Sequence, residues 1–64
     1  MKSACVIAIG DELLNGFTVD SNTQWIKEEL SKTNVKVLKS IILPDFESSI
    51  LKELEKVINE NYNF

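Results

Sequence analysis

At 64 residues and 44% hydrophobic content, the chain can form at most one small domain and is too apolar for a disordered segment. Its net charge of −3 argues against nucleic acid or an anionic membrane as an electrostatically driven partner. It contains no histidine, and all seven basic residues are lysines. Ser-His-Asp and Cys-His catalysis, His-ligated zinc and guanidinium clamps on phosphate are thereby excluded.

Residues 4–9, Ala-Cys-Val-Ile-Ala-Ile, form a continuous apolar run closed by Gly10. Continuous rather than alternating hydrophobicity predicts a strand covered on both faces, as in a parallel sheet. Cys5 within it reads as a small buried hydrophobe. As the only cysteine it cannot form an intrachain disulfide, so a cytoplasmic setting is expected. The run is too short to span a bilayer and lacks a secretory-signal pattern.

Gly10 suits a sharp exit from the strand, and Asn15-Gly16 suits a tight turn. Between them, Asp11 and Glu12 read either as solvated loop acids or as metal or ligand contacts at the strand end. Leu13 and Leu14 fit an apolar lid or a short amphipathic turn. Ser21-x-x-Gln24 matches a capping box and predicts a helix start. Trp25, Ile26 and Leu30 give that helix its apolar side, with Trp25 expected as a core anchor and Glu28–Lys32 as an exposed ion pair. Asn34 fits the left-handed residue that ends a helix.

Residues 35–43 are β-branched and apolar, a second strand that Pro44 terminates. Asp45 then opens a last helix whose buried face is expected at Ile50, Leu51, Leu54, Val57 and Ile58. Residues 62–64 read as the beginning of a third strand. The whole is an α/β chain: a β-α-β-α start of a three-layer α/β/α sheet with parallel strands, truncated, and residues 1–64 are expected to be the N-terminal part of a single domain.

All three aspartates, Asp11, Asp20 and Asp45, fall between a strand and the next helix. In an open α/β sheet those segments gather outside the carboxyl ends of the strands, where ligands bind. Two helix N-termini, near Ser21 and Phe46, should face the same rim with unpaired amides. Short carboxylates beside such amides suit Mg²⁺ shared with a phosphate-bearing ligand. Asp is equally a favoured helix cap, so capping alone stands as the alternative for Asp20 and Asp45. No glycine-rich phosphate loop can be written onto the chain, which has only two glycines.

Residues 7–16, Ile-Ala-Ile-Gly-Asp-Glu-Leu-Leu-Asn-Gly, followed by Asp20-Ser21-Asn22 and by Leu43-Pro44-Asp45, resemble the start of the molybdopterin-binding (MoCF, MoaB/Mog-like) domain family. The likeness is greatest to the branch that opens CinA-like competence/damage-inducible proteins. The resemblance implies molybdopterin or a nucleotide as ligand, Mg²⁺ as cofactor, and a homo-oligomer, a trimer in MoaB/Mog-like members. It implies a catalytic role for Asp45, metal contacts from Asp11 and Asp45, and ligand contacts from Gly10, Asp11, Glu12, Asp20, Ser21 and Asn22. The family's glycine-rich segment ending in aspartate has no counterpart here. The expected parent activity is therefore pyrophosphate hydrolysis or molybdopterin adenylylation, with little or none in the 64 residues alone. A pterin- or nucleotide-binding module without turnover and an assembly fragment are the alternatives.

Overall fold

The computed structural model describes residues 1–64 as five elements: β1 (Lys2–Ile9), α1 (Asp11–Leu14), α2 (Ser21–Lys32), β2 (Val35–Leu43) and α3 (Glu47–Asn59). β1 and β2 pair in parallel, from Lys2 opposite Val35 to Ile9 opposite Leu43. The register shifts once: Ala4 faces Val37 and Cys5 faces Lys39, which leaves Leu38 as the extra residue. Its side chain stays exposed, as the unpaired residue of a bulge can. The Gly10 amide donates to the Leu43 carbonyl at 3.0 Å and closes the ladder at the carboxyl end.

Residues 63–64 engage the other edge of β1. The amides of Asn63 and Phe64 donate to the Ser3 carbonyl at 3.0 and 3.2 Å, and the Cys5 amide donates to the Phe64 carbonyl at 3.1 Å. One residue bonded to both neighbours of its opposite number is the parallel pattern. β1 therefore lies between β2 and the position expected for a third strand. Asn63 Oδ1 also accepts the Ser3 amide at 2.9 Å.

The Cα envelope measures 32 × 27 × 11 Å. The longest dimension matches a nine-residue strand at about 3.3 Å per residue. The shortest is little more than two strand spacings of about 4.8 Å. The middle one accommodates a helix layer on each side of the sheet at about 10 Å. The molecule is a narrow slice of an α/β/α sandwich, as the order of apolar segments predicts.

Such a slice has little interior. Only five of 64 residues are buried, among them Ala4, Val35, Leu43 and Thr23, so neighbouring apolar positions stay partly wet. α3 has no buried residue; Ile50, Glu53 and Val57 form its half-covered row. Leu51 and Ile58, expected inside, are 55% and 71% exposed, because a two-stranded sheet is narrower than the helix's apolar arc. Trp25 is likewise corrected: it is 61% exposed. The row of α2 that meets the sheet is Thr23, Lys27 and Leu30, and Trp25 lies about 200° around the helix from Thr23. Cys5 is half-buried rather than buried, and burial pushes its thiol above the usual range while Lys39 opposes the shift. Lys39 itself pairs with Glu60 at 3.0 Å, which holds its ammonium above the ordinary lysine value.

Local signals decide the ends of the elements. The N-cap of α2 is Asp20, one residue before the expected Ser21. One Asp20 oxygen accepts the Thr23 amide at 3.0 Å and the other accepts the Thr23 hydroxyl. Gln24 bonds Glu28 at 3.3 Å instead of returning to the cap, and Lys32 pairs with Glu29 at 3.2 Å rather than with Glu28. Asn34 takes φ 62 as expected, and Asn61 does the same after α3.

Gly16 sits at φ +78 with open space where a Cβ would go. Gly16→Ala should therefore destabilise the chain by about 1 kcal/mol through backbone strain alone. Denaturant titration measures this, and Gly16→Asn should recover part of the loss. The Asp20 cap predicts an acid dependence. Its bonds to Thr23 lower the folded carboxyl below the unfolded value, so folding at this site favours the ionised form. That contribution is complete above the ordinary aspartate range and disappears as pH falls through it to the lower folded value. Exchange of the Thr23 amide should accelerate over that window, and Asp20→Ala should show fast exchange at every pH.

Candidate functional site

β1 and β2 end side by side at Ile9 and Leu43, so the segments that follow them leave from one rim. Gly10 leads directly into α1, a single helical turn rather than a hairpin. The φ of Gly10 is 164°, extended backbone that any residue adopts, so the strand exit does not require a glycine's freedom. A Cβ there would lie 2.7 Å from Oε1 of Glu12, whose carboxylate folds back over this position.

Asp11, the first residue of α1, spans the rim. Its Oδ1 accepts the amide of Asp45 at 3.3 Å, joining residues 34 apart in sequence. The turn carrying Asp45 is tight, with the Phe46 amide donating to the Pro44 carbonyl at 2.8 Å. Asp11 and Asp45 are thus neighbours at the carboxyl end of the sheet.

The Asp45 side chain does not cap the helix that follows. Phe46 occupies the N-cap position of α3 in an extended conformation, φ −145 and ψ 119, and no side chain bonds the first-turn amides. The Asp45 carboxylate enters neither a hydrogen bond nor an ion pair. Asp20 contrasts with it, since both its oxygens are engaged by Thr23. The N-terminus of α2 is therefore occupied by its own chain, whereas that of α3 is open. Ser21 and Asn22 lie exposed in the first turn of α2, at the same end of the sheet as the β1 exit.

The donor set is small. No three carboxylate or thiol side chains come together in a cluster that could hold a metal ion. Two neighbouring aspartates suit a hard cation that completes its shell with water and ligand phosphates, as Mg²⁺ does. The largest groove, about 390 Å³, lies at the opposite end of the strands against Met1, Lys2, Asn34, Val35 and Phe64, away from these acids. At the rim a groove of about 330 Å³ runs along Phe46, Glu47, Ser48 and Leu51.

Sequence reasoning placed the three aspartates between strands and helices but did not separate their roles. Asp20-x-x-Thr23 carried the missed signal, because an N-cap acid followed three residues later by a hydroxyl can bond it twice. Phe46 was also missed; an aromatic ring at an N-cap position is unusual enough to mark it.

Comparison with known proteins agrees with this architecture. A family model described as "Probable molybdopterin binding domain" matches residues 5–63. A "Putative competence-damage inducible protein" of Clostridium botulinum is 37% identical over 54 residues, 84% of this chain and 13% of that protein. A "CinA-like protein" of Salinibacter ruber is 33% identical over 57 residues, covering 89% of this chain and 14% of its own length. Another of Leptospira biflexa is 44% identical over 50 residues, 78% and 12% respectively. No solved structure matches significantly. The chain spans about 13% of the length of its first curated relatives. With the family model covering nearly every residue from Cys5 onward, the chain belongs to the molybdopterin-binding (MoCF) domain family, among relatives that are CinA-like.

Proposed function

We propose that the rim formed by Asp11, Asp45 and the first turn of α3 binds the phosphate end of a pterin or nucleotide ligand together with Mg²⁺. The observation that carries this reading is the Asp45 carboxylate: it adjoins Asp11 and has no partner within the protein. Asp45 is then the group that contacts metal or ligand directly. Asp11 holds the Asp45 backbone with one oxygen and can offer the other to the cation. The uncapped amides of α3 supply donors and a partial positive charge for phosphate oxygens. Asp20 supports the site by fixing the start of α2, which places Ser21 and Asn22 beside the rim without lending its own carboxylate.

The 64 residues make the N-terminal part of a larger domain in this reading. The parent reaction is Mg²⁺-assisted chemistry at a pyrophosphate, either hydrolysis of a nucleotide or adenylylation of molybdopterin. Bound Mg²⁺ would neutralise charge on the phosphate oxygens. The chain's own contribution is orientation: the Asp11 bond sets the Pro44–Asp45–Phe46 turn, and that turn aims a carboxylate and a helix start at one point.

NMR titration of the chain with Mg²⁺ and pyrophosphate should shift the amides of Asp45, Glu47, Ser48 and Ser49. Asp45→Ala should weaken that binding about ten-fold or more, the scale of a lost charge-assisted contact. Equal binding by wild type and variant, or shifts confined to the groove near Lys2, would remove the basis for this assignment. In a longer polypeptide containing these residues, Asp45→Ala should abolish pyrophosphate cleavage if the site is catalytic; binding without cleavage identifies a module that only holds its ligand.

A further inference from the structure

The groove beside the proposed phosphate site has an apolar wall and an acidic edge. Phe46 and Leu51 are 62% and 55% exposed, and with Glu47 and Ser48 they line its volume of about 330 Å³. Packing does not account for the position of Phe46, since the ring faces solvent. Capping does not account for it either, because Ser, Thr, Asp or Asn would bond the first-turn amides and Phe cannot. Its placement next to Asp45 puts a flat apolar surface within one residue of the unpartnered carboxylate.

We infer that this groove is the ring subsite of the ligand, with Phe46 as a stacking platform and Glu47 as the acceptor that reads the ring's edge; the inference rests on the phosphate-binding reading above. A planar heteroaromatic ring stacks on an aromatic face whatever its substituents, so Phe46 supplies affinity more than selectivity. Glu47 adds the selectivity. An ionised carboxylate accepts two hydrogen bonds side by side. Rings that present an exocyclic amine next to a ring N–H, as pterins and guanine do, offer both donors to it. Adenine offers one donor flanked by acceptors. The subsite therefore favours the 2-amino-4-oxo class of ring.

Titration of the chain in Mg²⁺ with GDP, ADP and pyrophosphate tests the assignment. GDP should bind more tightly than ADP. Phe46→Ser should weaken GDP about ten-fold and leave pyrophosphate unchanged, since stacking of a base on an aromatic ring is typically of this size. Serine is a better N-cap than phenylalanine, so the variant preserves α3 and a loss of binding is not a loss of fold. Glu47→Gln should reduce the preference for GDP over ADP, and Phe46→Trp should retain it. Unchanged GDP affinity in Phe46→Ser, or equal affinity for GDP and ADP in wild type, would overturn the ring subsite while pyrophosphate binding left the phosphate reading intact. If wild type binds neither GDP nor pyrophosphate, both fall together.

Discussion

Parallel pairing between β1 and β2 is the constraint from which the rest of the molecule follows. Two parallel strands must be joined by a crossover, and α2 provides it. Because both strands run the same way, both end at one rim, and the segments after Ile9 and Leu43 emerge together. The ladder bond from the Gly10 amide to the Leu43 carbonyl fixes this juxtaposition to within a residue. A slip of one register position would separate Asp11 from the turn that carries Asp45, and would also exchange the faces of every side chain in the strand. The bulge at Leu38 lies well before the rim, so the pairing next to the site is regular.

Within that frame the three aspartates have different work. Asp20 is spent on its own helix, with both oxygens turned back to Thr23. Asp11 bridges two segments by accepting a backbone amide, which makes it a tie between the β1 and β2 exits. Asp45 keeps its carboxylate unengaged at the tip of a tight turn. Identical chemistry at three similar positions thus resolves into a cap, a tie and an available ligand. The differences lie in what each residue finds two or three positions further along, or across the sheet. A hydroxyl at Thr23 engages Asp20, whereas a phenyl ring at position 46 leaves α3 uncapped and Asp45 unused.

The narrowness of the sheet explains why so much apolar surface is accessible. A sheet two strands wide covers one row of each helix and leaves the flanking rows wet. Leu51 and Ile58 on α3 and Trp25 on α2 are the outcome. The amides and carbonyls of β1 that face away from β2 are engaged only as far as Cys5, by Phe64. The small interior makes local determinants matter more: the Asp20 cap, the left-handed Asn34 and the Gly16 turn each act without help from a large core.

Much of this was legible from the residues in order. Continuous apolar runs specified two strands of the parallel kind, Pro44 ended the second, and Asn34 marked the end of α2, because these signals depend on short-range sterics and backbone bonding. The family likeness was carried by residues 7–16, Asp20-Ser21-Asn22 and Leu43-Pro44-Asp45, and the family match over residues 5–63 agrees with it. Which helix face would be covered was not legible, since periodicity identifies an apolar arc but not the width of the surface that receives it. Nor could spacing tell the cap from the unpartnered carboxylate: Asp11 and Asp45 meet only through β-pairing between segments 34 residues apart. The sequence by itself determined the elements, their order and the presence of short acids at strand ends. Tertiary structure decided which of those acids touch, because contact across a sheet is set by register and not by local propensity.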